Sequence, residues 1–438
     1  ACEAFQHIPL IAPGHARFAL SLWLVIGSAG SLYIQDAALK GPMLPAWLSW
    51  VSICLLRRSP DVLRQCRLNR RLRLQAVKTL SISALLRLGQ RHGDHRYLGD
   101  GFAWQPQHAQ WAHELLAQGG VAGRSGSAWI HQLAEQHESL FQPLSETEGH
   151  TLIVGTTGAG KTRTFDLLIA QAIARGEPVI IVDPKGDRDL RRAAQSMLSA
   201  LGRDQDLILF HPAFPDQSVR LDPLRNFNRP SELSSRIAGA IPSSHPSDPF
   251  KAFGQRALDQ IIQGFLFLQE RPRLTDIRRI LEGGPETLTQ RVLEHHLKAV
   301  LGVGWRARIP NAARGRNGDA GMQALITYYW DQIAPRHPAL PLEGVLALYA
   351  HDRNHFGKMV SSLLPVMTLL TSGSLEGLLS PDPSDPDDPR PMTDLGRIIE
   401  RNQVAYLGLD ALSDGPAAAL IGSLLLSDLT AVAGERYN

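Results

Sequence analysis

Cysteine is scarce in this sequence, and neither charge sign dominates it. The 438 residues include 3 cysteines, Cys2, Cys54 and Cys66, and no two of them form a Cys-x-x-Cys pair. A disulfide scaffold and a zinc ribbon are therefore excluded, and a reduced, cytoplasm-facing protein is expected. Because 45 Lys+Arg oppose 42 Asp+Glu, the chain as a whole is not a polycation. With 44% hydrophobic residues at this length, we expect about two to four domains with sizeable cores.

The positive charge is concentrated in one block of the chain. Residues 57–100 contain eleven Lys/Arg against three Asp/Glu, so their net charge is +8 and the remainder carries −5. Two apolar runs, Phe18–Ile34 and Met43–Leu56, lie before this block. The first run has no charged residue and is close to the ~17–25 residues that cross a bilayer as a helix. In the second run, Trp47 and Trp50 suit a membrane interface.

We interpret the two runs as a transmembrane hairpin with both ends in the cytoplasm, because the arginines follow it directly. A signal peptide would need positive charge ahead of the first run, where only Arg17 stands. Two buried core helices would not need so abrupt a series of arginines. The basic block itself has two interpretations. It orients the anchor against anionic lipid, which we favour, or it lines an entry for nucleic acid.

The middle of the chain carries a phosphate-binding motif. Thr151–Val154 is apolar and predicts a short strand, and it leads into Gly155–Thr162, a complete G-x-x-x-x-G-K-[ST] sequence. Phe165–Ala174 then predicts a helix, and Val179–Val182 predicts a buried strand. Strand, glycine loop, helix and strand in this order predict an α/β fold with a P-loop. The alternative is a chance Gly/Lys turn, which the low number of lysines makes improbable.

The motif predicts which groups would hold a nucleotide. Glycines let backbone N–H groups approach phosphate oxygens, and the following helix adds the positive end of its dipole. Lys161 would reach the β- and γ-phosphates of ATP, and the hydroxyl of Thr162 would hold Mg²⁺, so these two are the predicted catalytic residues. The predicted nucleotide-binding residues are Gly155, Thr156, Thr157, Gly158, Ala159, Gly160, Lys161, Thr162, Arg163, Asp183 and Lys185.

Hydrolysis also needs a carboxylate at the end of a second apolar strand. The strand-like segment Val404–Leu409 ends in Asp410, but Ala411 rather than an acid follows, and we interpret Asp410 as a strand-end cap. Asp183 directly follows the other predicted strand, Val179–Val182. We therefore expect a fragment of a longer protein, with the completing carboxylates beyond Asn438. For Lys185 a plain turn and a γ-phosphate sensor stay equally open.

These segments together resemble a known family. The residues that carry the resemblance are His150–Thr162, Asp183–Asp187, Tyr97–Trp104, Leu209–Pro212, Leu221–Leu224, His351–Met359 and Tyr406–Asp414. In this combination, after two candidate membrane helices, they resemble the type IV coupling proteins of conjugative and integrative elements, the TraD/TraG class in particular. Two departures are the missing Asp-Glu strand and the short, Gly-rich stretch between Trp104 and Glu148.

The resemblance implies a fold and a partner set. It implies a RecA-like P-loop NTPase motor with an inserted all-α domain and an N-terminal two-helix transmembrane anchor. It further implies a hexameric inner-membrane ATPase that receives relaxase-bound DNA, passes it to a type IV secretion channel and takes an arginine from the neighbouring subunit at the nucleotide. The expected organisation is a transmembrane hairpin (1–56), a basic cytoplasmic stem and linker (57–140), the first part of the NTPase domain (141–230), the inserted all-α domain (231–392) and the return to the NTPase domain (393–438).

The residue pattern between the two NTPase parts is helical. Pro249–Gln269 and Met322–Ile333 have apolar residues at helical spacing, and Leu342–Leu370 continues this pattern with a break expected near Pro365. Ser231 is expected to cap a first helix. The Asp- and Pro-rich tract 381–389 predicts a solvated loop rather than a cation site. Arg306, Arg308, Arg314 and Arg316 predict a basic surface loop that also suits DNA phosphates, and Tyr328, Tyr329 and Trp330 predict helix core rather than base stacking.

Two other functions are alternatives to a DNA-pumping coupling protein. An FtsK-type chromosomal DNA translocase shares the anchor and the P-loop, but a long linker and a winged-helix end domain are not seen in this sequence. A nucleotide-gated docking platform would recruit the DNA-processing complex without sustained hydrolysis. An ABC transporter is disfavoured because the sequence has no Leu-Ser-Gly-Gly signature.

Overall fold

The computed structural model describes most of the chain after residue 47. The described residues are 48–53, 56–57, 59, 63, 80–117, 130, 133–134, 136–241, 249–309, 319–351, 356–358 and 360–437. They divide into two compact units, residues 1–171 and residues 172–438.

The expected transmembrane anchor is not confirmed. Phe18–Ile34 lies outside the described residues, and of Met43–Leu56 only residues 48–53 and 56 are described, in helical conformation. Among the described residues, one helix is long and apolar enough to cross a bilayer, Gly415–Tyr437, and half of its apolar window is buried inside the protein. A buried core helix passes the same test of length and composition. The described residues therefore do not support a multi-pass arrangement.

The first unit contains an antiparallel pair of strands flanked by helices. Helix α1 (Ile82–Arg91) is capped by Ser81, whose side chain accepts a hydrogen bond from the Ala84 amide. Strand β1 (His95–Gly101) pairs with β2 (Glu138–Pro143), and helix α2 (Pro106–Ala117) lies between them in sequence. Helix α3 (Lys161–Ala174) follows the glycine loop.

The helix expected at Phe165–Ala174 is confirmed, and it begins four residues earlier, at Lys161. The strand expected at Thr151–Val154 is wrong, because residues 151–156 are irregular and Leu152 and Val154 are 87% and 82% exposed. A strand is stabilised by a partner backbone, and in the described part of the first unit β1 pairs only with β2. The apolar composition of residues 151–154 is therefore not sufficient to make this segment a β-strand.

The second unit is built on a parallel sheet of three strands. Strands β3 (Val179–Asp183) and β4 (Leu207–Phe210) both pair with β7 (Val404–Gly408), which is the central strand and is buried along its whole length. Helix α4 (Arg188–Ala200) joins β3 to β4. The chain then leaves the sheet and returns as β7, so the strands predicted near residues 179–182 and 404–409 are confirmed.

The residues between β4 and β7 are mainly helical. Their helices are α5 (Pro230–Gly239), α6 (Pro249–Phe267), α7 (Leu274–Gly283), α8 (Glu286–Leu301), α9 (Asp319–Tyr328), α10 (Leu340–Tyr349), α11 (Leu363–Leu370), α12 (Ser374–Leu379) and α13 (Leu395–Glu400). A short parallel ladder, β5 (Arg220–Leu221) with β6 (Met392–Thr393), joins the two ends of this segment. The final helix is α14 (Gly415–Tyr437). Leu407 of the central strand and core residues of the helices belong to one continuous apolar cluster.

The helical expectations for this segment hold, with two corrections. Helix α6 forms where Pro249–Gln269 predicted it, and α10 and α11 are separate helices. The break expected near Pro365 is wrong, because Pro365 lies in the first turn of α11, where a proline is tolerated. A π-helical turn, Tyr329–Ile333, extends α9. The cap expected at Ser231 is wrong, because the N-cap of α5 is Arg229 and Pro230 occupies the first turn. Proline is favoured there since its fixed φ suits the helix and its missing N–H would be unpaired anyway.

The Asp- and Pro-rich tract is a loop, as predicted, and two of its carboxylates are paired with arginines. Asp382 pairs with Arg273, and Asp388 pairs with Arg390 and with Arg220. Because Arg390 donates to the carboxylate, the pKa of Asp388 is lowered to about 2. Within the described ranges, no group of three or more His, Cys, Asp or Glu side chains is arranged to hold a metal ion.

Candidate functional site

The glycine loop folds around the ammonium group of Lys161. Its Nζ donates to the backbone oxygens of Gly155 and Thr156 at 2.7 and 2.8 Å. Gly158 and Gly160 have φ values of +80° and +93°, a region that glycine enters without steric cost. The loop thus takes its shape from two glycines and one cation, and the cation is already held where the loop ends and α3 begins.

Gly155 allows the loop to close tightly. A Cβ at this position would lie 3.1 Å from the Cβ of Ala159 and 3.5 Å from Cγ of Lys161. The distance to Ala159 is tight, so a side chain at residue 155 would require Ala159 to shift by a few tenths of an ångström, whereas the distance to Lys161 is an ordinary van der Waals contact. The close approach is the arrangement that a phosphate-binding loop needs, so the residues present fit a nucleoside triphosphate.

The start of α3 supplies the other groups that the motif predicts. The first N–H groups of a helix have no partner inside the helix and carry its positive dipole end. Thr162 lies exposed in this first turn. Arg163 is 72% exposed and pairs with Asp166 at 2.9 Å, one turn along the same helix. The donor set of amides, ammonium and hydroxyl complements phosphate oxygens and a hydrated Mg²⁺ ion.

A side-chain amide fastens α3 to β1 within the first unit. Gln171 accepts a hydrogen bond from the Tyr97 amide at 2.7 Å and donates to the Tyr97 oxygen at 2.9 Å. Both groups are buried, and β1 is displaced in register just beyond this point, between Tyr97 and Gly99. The helix that carries Lys161 is therefore held by the backbone of the strand and not only by apolar contact.

In the second unit, Asp183 organises the turn that follows β3. Its carboxylate accepts hydrogen bonds from the amides of Lys185 and Asp187 and from the hydroxyl of Tyr406. The Asp183 side chain is buried, and its three donors come from its own turn and from the neighbouring strand β7. Burial and the bond to Asp183 both raise the pKa of the Tyr406 phenol. The predicted contact of Asp183 with a nucleotide stays a prediction, and the contacts that its carboxylate makes in the structure shape the turn of residues 183–187.

Lys185 and Asp410 lie in the loops at the ends of β3 and β7. Lys185 is exposed, and its backbone amide is held by Asp183. Asp410 has a φ of +59° and accepts a hydrogen bond from the Ser413 hydroxyl at 2.9 Å. The Asp410 contacts are local, as the interpretation of a strand-end cap requires.

His211 is a residue at this sheet edge that sequence reasoning did not select as a site residue. It directly follows β4 and is 6% exposed. Since β3, β4 and β7 are parallel, their carboxyl ends meet at one edge, where ligands of α/β folds bind. The rule that selected Asp183 and Asp410, a polar residue after an apolar strand, would also have selected His211.

The basic loop and the aromatic cluster are described in part. Arg306 pairs with Glu294 at 3.0 Å, and Arg308 donates to the Leu301 oxygen. Arg314 and Arg316 lie outside the described residues. The prediction that the aromatic cluster is core is confirmed for Tyr329, which is fully buried and donates to Glu343, while Trp330 is exposed.

A parallel sheet with helices and a glycine loop at the start of a helix define an α/β protein consistent with the P-loop NTPase class. Residues 136–306 match the family described as the DNA-binding domain of type IV secretion-system coupling proteins. The type 4 coupling protein DotL of Legionella pneumophila subsp. pneumophila is similar, with 39% identity over 74 residues. This match covers 17% of the present chain and 10% of DotL, so it spans a small part of the relative's length. The two matches support the resemblance to type IV coupling proteins, and residues 136–306 are similar to the DNA-binding domain of that family.

Proposed function

We propose that this chain belongs to a membrane-anchored ATPase that recruits DNA with its bound relaxase and pumps it into a type IV secretion channel. The observation that carries the proposal is the Lys161 ammonium, held by the loop oxygens of Gly155 and Thr156 at the start of α3. This loop lies inside the segment that matches a coupling-protein DNA-binding domain. A phosphate-binding loop in a DNA-binding domain is what a nucleotide-driven DNA motor requires.

The nucleotide in this proposal is ATP with Mg²⁺, which supplies the phosphoryl group whose transfer to water drives movement. The loop residues 155–160 bind the phosphates through their amides, Lys161 neutralises the charge of the terminal phosphates, and Thr162 holds the metal ion. To reach a phosphate, Lys161 exchanges its hydrogen bonds to the loop oxygens for bonds to the ligand. Asp183, Lys185 and Arg163 remain predicted contributors to the same nucleotide.

The assembly around the chain follows from the family resemblance. We propose a homo-hexamer at the bacterial inner membrane, anchored by residues 1–56, with the motor in the cytoplasm. Its partners are DNA bound without sequence specificity, the relaxase complex and the components of the secretion channel. The domain boundaries given above and the TraD/TraG class are predictions of the same kind.

A second function, a docking platform that binds nucleotide without sustained hydrolysis, has one observation in its favour. The strand-end carboxylates of Asp183 and Asp410 both accept hydrogen bonds from their own turns. A carboxylate committed to such bonds is a poorer ligand for Mg²⁺ and a poorer partner for water. A measurement of ATP turnover therefore distinguishes the DNA-pumping ATPase from the docking platform.

The test is DNA-stimulated ATP hydrolysis by the full-length protein. We expect stimulation in the wild type and a loss of about 10²–10³-fold in kcat for Lys161→Ala, the range seen when one preorganised charge-stabilising group is removed. Lys298→Ala is the matched control, because this lysine is exposed on α8. ATP binding without DNA-stimulated turnover, together with unchanged DNA transfer in Lys161→Ala, would favour the platform.

A further inference from the structure

The imidazole of His211 fills the space between two glycines on different segments. A Cβ built on Gly186 would lie 2.7 Å from Nε2 of His211, and a Cβ built on Gly408 would lie 2.5 Å from its Cδ2. Gly186 belongs to the turn after β3, and Gly408 is the last residue of β7. The Nε2–Cδ2 edge of a single ring therefore lies close both to the turn after β3 and to the end of the central strand.

The ring is fixed in this position by its own loop. Nδ1 of His211 accepts a hydrogen bond from the Ala213 amide at 3.2 Å. The backbone amide of His211 donates to the Ser218 hydroxyl at 2.9 Å, and the single proton of that hydroxyl lies within reach of the backbone oxygens of Phe214 and His211, at 2.8 and 3.0 Å. Because the ring bond and the backbone bonds of His211 all come from residues 211–218, the position of the ring is set by its own loop and not by the 183–187 turn.

These contacts also determine where the imidazole proton lies. An Nδ1 that accepts a hydrogen bond leaves the proton of the neutral ring on Nε2, the atom that faces Gly186. Burial is the largest influence on the ring and lowers its pKa, which favours the neutral form. The charged groups that face it are Asp183 after β3 and Asp410 after β7, which raise the pKa, and Arg191 on α4, which lowers it.

We propose that His211 is a positioning residue that sets the distance between the 183–187 turn and the end of β7. The turn is otherwise tied to β7 by the Tyr406–Asp183 bond and by the amides of Leu409 and Ala411, which donate to the oxygens of Asp183 and Pro184. His211 adds a rigid spacer to these bonds. It thereby places the exposed Lys185 relative to the sheet edge, and this part of the inference rests on the proposed ATPase function.

Hydrogen exchange of the full chain tests the positioning role without any nucleotide. In His211→Ala, we expect the amides of Lys185 and Asp187 to exchange at least about tenfold faster, because the turn loses its spacer. Amides of α14, on another part of the unit, keep their rates. Unchanged exchange at Lys185 and Asp187 would overturn the proposal, and so would an equal acceleration in α14, which would mean general destabilisation.

A compensating pair of variants tests the spacer geometry itself. Gly408→Ala alone is expected to lower the melting temperature or to abolish folding, since its Cβ would overlap the ring. Removing the ring makes room, so His211→Ala/Gly408→Ala is expected to be more stable than Gly408→Ala. Gly408 has no positive φ, and backbone strain therefore does not confuse this comparison. A double variant that is no better than Gly408→Ala would contradict the proposal.

Kinetics of the full chain connect the spacer to the proposed activity. For His211→Ala we expect kcat for ATP to fall about tenfold while KM changes less than about twofold, because the phosphate loop is intact and only the turn has moved. An unchanged kcat in His211→Ala would overturn the link to turnover. If the wild type hydrolyses no ATP, the proposed function fails, and the exchange and compensation results still decide whether His211 is a spacer.

Discussion

Tyr406 donates a hydrogen bond of 2.7 Å from its phenol to the carboxylate of Asp183, although the two residues are 223 positions apart in the chain. Tyr406 lies in the middle of β7, and Asp183 is the last residue of β3. The bond therefore joins the turn after β3 to the strand that returns only after the helical segment. It makes the shape of the turn depend on completed folding of the second unit.

Tyr406→Phe removes this bond while keeping the ring. The Asp183 carboxylate is buried and would lose one of its three donors, so we expect the free energy of unfolding to fall by about 1.5–3 kcal/mol, the range for hydrogen bonds to charged groups. Urea denaturation followed by circular dichroism measures the change. Tyr437→Phe is the control, since Tyr437 is 94% exposed. Equal stability of the two variants would show that the bond contributes nothing.

Gln171→Leu tests the clamp between α3 and β1. The substitution keeps a similar volume but leaves the buried amide and oxygen of Tyr97 without their partner. We expect the Tyr97 amide to exchange with solvent faster, by an amount corresponding to about 1–3 kcal/mol. Gln107→Leu, on the exposed face of α2, serves as the control and is expected to leave this amide unchanged. Unaltered protection at Tyr97 in Gln171→Leu would show that apolar packing alone holds the helix.

Arg236→Met tests a buried ion pair between α5 and α14. Arg236 donates to Asp428 at 2.8 Å and to the backbone oxygens of Pro223 and Asn226, and both side chains of the pair are 1% exposed. The variant leaves a buried carboxylate without its counter-charge, so we expect a loss of about 3–5 kcal/mol in unfolding free energy. Arg256→Met on the exposed side of α6 is expected to cost far less. If Arg236→Met lowered the unfolding free energy by less than Arg256→Met does, the ion pair would not be a source of stability.

Acid is expected to destabilise the second unit through its buried histidines. Burial lowers the pKa of His211 and of His296 below the ordinary value of 6.5. As the pH falls below 6.5, the unfolded chain binds protons that the folded chain resists, so this part of the stability is present above pH 6.5 and is lost below it. Urea midpoints measured between pH 7.5 and 5.5 are expected to fall in the wild type. The fall is expected to be smaller in His211→Asn, and an identical pH profile would exclude His211 as a source.

Local sequence signals predicted the elements whose stability is decided within a few residues. The glycine loop with Lys161, helix α3 and strand β3 follow from glycines, helical spacing and a continuous apolar run. The strand expected at Thr151–Val154 had the same apolar signal and did not form, because a strand depends on a partner that its own residues do not specify. Ser231 failed as a cap for a local reason, since the neighbouring Pro230 occupies the first helical position and Arg229 is the N-cap.

The residues of the candidate site also divide into those that short spacing predicts and those that depend on distant contacts. The spacing of Lys161 to the glycines predicts that it binds phosphate, and in the structure Lys161 donates to the loop oxygens. The place of Asp183 at the end of a strand predicts a nucleotide contact, which stays a prediction; in the structure its carboxylate accepts hydrogen bonds from Lys185, Asp187 and Tyr406. No pattern near residue 183 indicated Tyr406, because hydrogen bonds between distant segments leave no local periodicity.

The sequence by itself determined which functional groups are present and in what order. They are a lysine and a threonine after a glycine loop, polar residues after apolar strands, and a basic block after apolar runs. Side-chain type and short spacing are properties of neighbouring residues, so they can be read without a fold. Only the tertiary structure decided that β7 enters between β3 and β4 and that His211 fits between Gly186 and Gly408. Those contacts arise when burial of the apolar core brings distant segments together, and no local rule encodes the distances that result.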